Sequence, residues 1–133
     1  MKKIVYALSL LFMLTACSGD DAMFENMAYK LQSAPKDAEI TLGFDGKDKQ
    51  FFGCSAINRY FGSYKTSGNQ LSFDTAGTTM MSGPEDLMNA EQEYLQFLSE
   101  VKTYQLDGNL LILSKANGEN LIFEKTGDAS SLE

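Results

Sequence analysis

The sequence predicts an α+β domain: an antiparallel, strongly curved, barrel-like β-sheet of about seven or eight strands, with one α-helix inserted before the last three strands. Three patterns lead to this fold class. Glycines interrupt a strand pattern over residues 53–73, residues 84–101 have helical spacing, and two hairpin signals follow that helix. Because a glycine inside a strand marks a bulge or a tight bend, a sheet with this many bends is expected to close on itself.

The first 16 residues are predicted to be a signal peptide and not part of the fold. Lys2 and Lys3 form a positive start, and residues 4–14 are an apolar run too short to span a bilayer comfortably. The run ends in Leu-Thr-Ala-Cys, which resembles the bacterial lipobox, so Cys17 is predicted to be lipidated. The alternative is an ordinary secretion signal followed by a coincidental cysteine. Residues 17–26 are predicted to be the lipidated cysteine and a flexible, acidic tether.

Removing residues 1–16 leaves a single domain with an acidic surface. The full chain has 11 lysine and arginine residues against 18 aspartate and glutamate residues. The signal peptide contains Lys2 and Lys3 and no acid, so 9 basic and 18 acidic residues give the mature chain a charge of −9. Such a surface repels phosphate backbones, and nucleic acid is not an expected partner. Without histidine, the chain has neither a histidine general base nor a histidine metal ligand.

Alternation of apolar with polar residues predicts the strands that precede the helix. Ile40, Leu42 and Phe44 alternate with polar or small residues, which indicates a half-buried strand. Gly68 and Asn69 can adopt positive φ and therefore suit the tip of a hairpin. The predicted strands are residues 27–32, 38–44, 49–57, 63–66 and 70–73.

One helix of about 17 residues is predicted to begin near Pro84, whose missing N–H needs no partner in a first helical turn. Its buried stripe consists of Leu87, Tyr94, Leu95, Leu98 and Val101. Glu91 interrupts this stripe near its edge. Met80, Met81 and Met88 form an adaptable apolar patch beside the helix, for which packing is favoured over a ligand groove.

Three consecutive strands are predicted after the helix, at residues 102–106, 109–114 and 119–125. The Asp-Gly and Asn-Gly pairs at residues 107–108 and 117–118 join them, and both pairs are strong hairpin signals. The domain is therefore expected to span residues 27–126, and residues 127–133 are expected to be a frayed polar tail.

Several motifs in a fixed order carry a resemblance to a known family. GCSAINRYFGSY and TTMM are followed by the helix EQEYLQFLSEVKTY and then by DGNLLIL and NGENLIF. In this order they resemble the META domain family of HslJ-like bacterial lipoproteins over residues 27–125. The family-motif positions are Gly53, Cys54, Asn58, Gly62, Tyr64, Thr78 and Met80. Ser55 replaces a common family asparagine, and Ser82 replaces a second family cysteine, so a family disulfide there cannot form.

The resemblance implies a stress-linked role in the bacterial envelope, including tolerance of some antibiotics. Residue 18 is serine and not the aspartate that retains lipoproteins in the inner membrane, which implies outer-membrane sorting in a Gram-negative host. The domain would then face the periplasm or the cell surface. The expected partners are the lipid bilayer, through acylated Cys17, and an envelope protein or peptide. No metal or cofactor is expected, and the chain is expected to be a monomer.

Five residues near the glycine-bent strand are candidates for a ligand site or a reactive site. Arg59 could contact an anion, but an exposed or ion-paired arginine on a turn is favoured. Tyr60, Met80 and Met81 could face a ligand, although core or rim packing is favoured for them. Cys54 lies beside apolar residues, so buried packing is favoured over a reactive thiol.

The sequence offers little catalytic chemistry, and an enzyme is not expected. Glu91 is the acid nearest the predicted core stripe, and a helix-flank role is favoured for it. Asp45 and Asp48 lie in a turn that lacks the ligand spacing of a calcium site. The predicted function is a membrane-anchored envelope lipoprotein with a binding or envelope-support role. The alternatives are a small-ligand or peptide carrier with an apolar cavity between helix and sheet, and a thiol-dependent activity at Cys54.

Overall fold

The computed structural model describes residues 23–132, so the predicted signal peptide, Cys17 and most of the predicted tether lie outside the described residues. Nine strands and one α-helix are present in this part of the chain. In chain order they are β1 (Met27–Leu31), β2 (Thr41–Asp45), β3 (Gln50–Cys54), β4 (Arg59–Ser67), β5 (Gln70–Phe73), β6 (Gly77–Thr78), α1 (Glu85–Glu100), β7 (Val101–Asp107), β8 (Leu110–Lys115) and β9 (Asn120–Asp128). A 3-10 helix, Ala129–Leu132, follows β9.

Eight strands form a closed antiparallel barrel, which confirms the predicted fold class. Their order around the barrel is β3-β2-β1-β9-β8-β7-β5-β4, and β3 pairs with β4 to close it. The two-residue strand β6 pairs with Tyr60 and Phe61 at the start of β4. Helix α1 precedes the last three strands, as predicted. The β5–β7 junction is the shortest in the ring, with the single register pair Gln70↔Thr103.

Aromatic rings fill the interior of the barrel. Phe44 contacts both Phe24 and Tyr64, with ring centroids 4.4 and 5.3 Å apart. Other ring contacts link Phe51 to Phe73 and Tyr94 to Phe123. Tilted and edge-on ring pairs of this kind add to the hydrophobic stabilisation from burial. The interior of the barrel is therefore a packed core.

The ordered domain extends beyond both predicted bounds. Phe24 and Glu25 fall within the predicted tether, yet both are buried because the Phe24 ring packs in the barrel core. Glu25 Oε2 accepts hydrogen bonds from the Tyr64 hydroxyl at 2.5 Å and from Lys49 Nζ at 2.7 Å. At the other end, residues 127–128 belong to β9 and Ala129 is buried. Residues 127–132 are therefore packed against the barrel and do not form the expected frayed tail.

Candidate functional site

A groove with a volume of about 640 Å³ lies between the first two turns of α1 and residues 78–83, which comprise the last residue of β6 and the loop that follows it. Met80 and Met81 on the loop and Met88 on the helix line it, and we call it the methionine groove. Their exposed fractions are 92%, 55% and 42%. The exposure of Met80 and Met81 contradicts the expectation that packing is favoured for them. The Met81 N–H and carbonyl oxygen both bond the Asn58 side chain, while the Met81 residue remains 55% exposed.

Asn58 ties the loop to the helix. Its Oδ1 accepts hydrogen bonds from the Met81 backbone N–H at 2.7 Å and from Thr79 Oγ1 at 2.8 Å. Its Nδ2 donates to the Met81 carbonyl oxygen at 3.1 Å and to Glu91 Oε2 at 2.7 Å. The Asn58 side chain is buried, and its partners lie on both the loop and the helix. The two walls of the methionine groove are therefore fixed relative to each other.

Glu91 completes this network from the helix. Its Oε1 accepts the backbone N–H groups of Asn58 at 2.8 Å and Ile57 at 3.2 Å, and the Ser55 hydroxyl lies 2.8 Å away. Burial acts to raise the pKa of Glu91, but these bonds and that from the Asn58 side chain outweigh it and hold the pKa below its ordinary value of 4.5. Ala56, inside the bound turn, has φ 90°, which is rare for alanine.

Glu91 therefore anchors α1 to the turn of residues 55–58 and does not merely flank the helix. The pattern of residues on the helix showed a glutamate at the edge of a buried stripe. It did not show the turn that supplies the partners, which lies 33 to 36 residues earlier in the chain. The serine at position 55 and the asparagine at position 58 were the available signals, because both side chains can donate to a carboxylate.

Tyr60 and Tyr94 form a buried hydrogen-bonded pair. The Tyr60 hydroxyl lies 2.5 Å from the Thr41 carbonyl oxygen and 2.5 Å from the Tyr94 hydroxyl. Since a carbonyl can only accept, Tyr60 donates to Thr41 and Tyr94 donates to Tyr60. Burial raises the pKa of both tyrosines, so both stay protonated. Tyr60 is 1% exposed, and this places it in the core and not against a ligand.

This donor order predicts unequal effects of removing the two hydroxyls. Tyr94→Phe removes one hydrogen bond and leaves Tyr60 bonded to Thr41, so we expect a loss of about 1 kcal/mol in the free energy of unfolding. Tyr60→Phe leaves the Thr41 carbonyl and the Tyr94 hydroxyl without this partner, so we expect a loss of about 2–3 kcal/mol. Urea denaturation of both variants measures the difference. An equal or reversed order would contradict the assigned donor direction.

The remaining candidate residues lie outside the groove. Arg59 is exposed at the first position of β4 and not on the expected turn, and its Nη2 donates to the Leu132 carbonyl oxygen at 2.8 Å. Cys54 is a free cysteine and is half-buried, so it is less enclosed than expected. Gly62 and Tyr64 have packing roles in the barrel. A Cβ at Gly62 would lie 2.7 Å from the Phe51 ring, and Tyr64 is buried.

Of the family-motif positions, Asn58, Thr78 and Met80 meet at the methionine groove. A smaller cleft of about 250 Å³ lies between α1 and the barrel. Leu31, Ile40, Tyr94 and Phe97 contribute to its largely apolar lining. Within residues 23–132, no cluster of three or more histidine, cysteine, aspartate or glutamate side chains could hold a metal ion. No helix in the same part of the chain is both long and apolar enough to cross a membrane.

Comparison with known structures supports the fold. An NMR structure of a protein from Burkholderia xenovorans is 25% identical, with a TM-score of 0.65, and the match covers 78% of this chain and 84% of that one. A second NMR structure is 21% identical, with a TM-score of 0.57, over 76% and 90% of the two chains. A crystal structure of a DUF4847 family protein from Bacteroides vulgatus is 12% identical, with a TM-score of 0.59, over 80% and 96%. Comparison with the curated proteins gave no significant match.

Two family models match the chain. Residues 1–18 match the prokaryotic membrane lipoprotein lipid attachment site, a segment that includes Cys17. This match supports an exported protein that is anchored to a membrane by lipid. Residues 15–128 match the META domain, in agreement with the resemblance carried by the sequence motifs. The chain therefore belongs to the META domain family.

Proposed function

We propose that the chain is a non-catalytic binding protein of the cell envelope, held at a membrane by lipid on Cys17, and that it takes its ligand in the methionine groove. The observation that carries this proposal is the exposure of Met80, Met81 and Met88 around one groove. Contiguous exposed apolar side chains mark interaction sites on soluble domains. Methionine side chains suit such sites because they are flexible and polarizable.

Size favours this groove over the cleft between α1 and the barrel. Ligand pockets for small molecules commonly measure about 300–1,000 Å³. The methionine groove, at about 640 Å³, lies within that range, whereas the apolar cleft, at about 250 Å³, lies below it. A carrier that uses the cleft is therefore the second candidate, supported by its apolar lining of Leu31, Ile40 and Phe97.

The bonding of the polar side chains near the groove supports a non-catalytic role. A general base needs a free lone pair within reach of a substrate proton. Both oxygens of Glu91 already accept hydrogen bonds from Asn58, and Oε1 also accepts one from the Ile57 backbone N–H. Tyr60 and Tyr94 are buried, and their pKa values are raised. These bonds and this burial give the three side chains structural roles, and such roles support a non-catalytic function.

The proposed location is the outer membrane, with the domain facing the periplasm or the cell surface. The serine at position 18 supports this sorting, and the acidic mature chain suits a domain held away from anionic headgroups. The proposed role is stress-related, on the strength of the resemblance to HslJ-like lipoproteins. A lipid anchor keeps such a binding module at the envelope, so that the groove needs to supply recognition only.

Capture from an envelope extract tests the proposed function. We expect the immobilised mature chain with Cys17→Ser to retain a ligand that the double variant Met80→Gln/Met88→Gln does not retain. Gln has nearly the same length as Met and is a good helix former, so the change removes apolar character at little cost to the fold. Met23→Gln is the matched control, since Met23 is 81% exposed and does not line the groove.

Native mass spectrometry of the retained material reads out organic molecules, metals and proteins together. A species present on the wild type and on Met23→Gln, but absent from the groove variant, would support the proposal. Identical retention on all three proteins would contradict it. Loss on a variant of the apolar cleft, Phe97→Gln, with normal retention on the groove variant would favour the carrier candidate.

A further inference from the structure

Three of the residues that line the methionine groove are methionines, and each carries a thioether sulfur. Of the five large hydrophobic side chains that are exposed in the described part of the chain, Met80, Met81 and Met88 line this one groove. Thioether sulfur is a soft ligand, and soft ligands select soft cations such as Cu(I), whereas calcium, magnesium and manganese prefer oxygen. We propose that the methionine groove binds Cu(I) through the sulfurs of these three methionines. This inference rests on the proposed function, because it names the ligand of the same groove.

The loop and the helix are held so that both can contribute ligands. Met88 and Glu91 are three residues apart on α1 and therefore lie on the same helix face. Glu91 bonds Asn58, and Asn58 bonds the backbone of Met81 on the loop. The main chain of the ligand-bearing segments is thus fixed before a cation arrives, while the long methionine side chains remain free to converge on it. Preorganisation of this kind lowers the ordering cost of binding.

The charges around the groove suit a cation. Glu85 and Glu91 are among its lining residues, and the mature chain has a charge of −9. The partial positive charge at the N-terminus of α1 would oppose a cation, but Glu85 and Asp86 lie in the first turn and offset it. Glu91 offers carboxylate oxygens, which suit hard cations and not Cu(I), so its proposed contribution is its charge. The three neutral sulfurs are the coordinating atoms.

The choice of ligand has a consequence for pH dependence. Thiolate, imidazole and carboxylate ligands must lose a proton before they bind a metal, so their affinity falls in acid. A thioether has no proton to lose. Binding at the methionine groove is therefore expected to be nearly independent of pH between about pH 7 and pH 5, whereas binding through a thiolate ligand in general weakens in acid.

Titration with Cu(I), kept reduced by ascorbate, tests the inference without any change in oxidation state. The mature chain with Cys17→Ser competes against a colorimetric Cu(I) chelator. We expect each of Met80→Leu, Met81→Leu and Met88→Leu to lower the affinity about tenfold, and the triple variant to lower it at least about a hundredfold. Leu nearly conserves the volume of Met, so the fold should be kept, and urea denaturation checks this. Ag(I), which has no accessible redox chemistry here, should give the same ranking.

Two control variants separate the groove from other soft ligands. Met23→Leu removes an exposed thioether outside the groove, and Cys54→Ala removes the thiol; both should leave the affinity unchanged. Wild-type affinity in the triple variant, loss of binding in Cys54→Ala, or a steep fall in affinity in acid would each overturn the inference. If Cu(I) fails to bind while groove-dependent capture from envelope extract persists, the cation is wrong and the proposed function stands. If both fail, the proposed function fails with it.

Discussion

Replacing Gly53 with alanine is expected to lower the free energy of unfolding by about 3 kcal/mol or more, since overpacking against fixed backbone is among the costliest single changes. A Cβ at this position would lie 2.2 Å from the Thr41 carbonyl oxygen. That oxygen cannot move away freely, because it accepts the Tyr60 hydroxyl, and Thr41 Oγ1 also accepts the Cys54 backbone N–H. The clash therefore separates β2 from β3 where both support the buried tyrosine pair.

Gly127→Ala provides a matched control for this clash. Gly127 has φ 155° and Gly53 has φ 159°, so an alanine meets nearly the same φ at both positions. A Cβ at Gly127, however, would have nothing within 4 Å. We expect a loss of about 1 kcal/mol there, from backbone conformation alone. Urea denaturation of both variants isolates the steric part, and equal losses would show that close approach to Thr41 is not what requires glycine at position 53.

Glu91→Ala is expected to cost about 3 kcal/mol, because hydrogen bonds to a charged group contribute about 1.5–3 kcal/mol and several are lost together. The Asn58 and Ile57 backbone N–H groups would lose their acceptor, and Asn58 Nδ2 would lose one of its two. The turn that contains Ala56, with its unfavourable φ of 90°, would lose the contact that holds it. Glu93→Ala, at an exposed position on the same helix, should change the stability by less than about 0.5 kcal/mol.

Glu91 also predicts a pH dependence of stability. Its pKa in the folded chain lies below its ordinary value of 4.5, so its contribution is present above that value and is lost as the pH falls through the folded-state pKa. We therefore expect the wild type to lose stability in this acid range and Glu91→Gln to show a flatter profile, with the two curves converging in acid. Denaturation midpoints between about pH 6 and pH 3 provide the measurement. Parallel curves would contradict the assigned role.

The sequence predicted well those helices and strands whose ends are marked by neighbouring residues, such as a proline, a glycine or a turn dipeptide. Pro84 with the acids that follow it placed the start of α1, and the Gly68 tip placed the β4–β5 hairpin. The three final strands followed from two hairpin signals of two residues each. The tether prediction failed at Phe24, because a single aromatic residue in an acidic segment shows no hydrophobic periodicity. Its place in the core is visible only from the packing of its ring inside the barrel.

The candidate site could not be predicted from the sequence, because it is formed by contacts between distant residues that hydrophobic periodicity does not reveal. Asn58 forms hydrogen bonds to Met81 and Glu91, which are 23 and 33 residues later in the sequence. These bonds fix the loop and the helix relative to each other as the two sides of the groove. Without the contacts, three methionines near a helix are more simply explained as core residues, and that explanation was wrong for Met80 and Met81. A family motif did mark Asn58, Thr78 and Met80, but a motif does not say that its members meet.

The most direct test of groove binding is methyl NMR of the mature chain with Cys17→Ser, labelled at the methionine ε-methyl groups and mixed with envelope extract. Methionine methyls report contacts in the groove whether the ligand is a metal, a small molecule or a peptide. We expect the signals of Met80, Met81 and Met88 to shift or broaden, while that of Met23, exposed outside the groove, stays in place. Unchanged groove signals, or equal changes at Met23, would contradict binding at the methionine groove.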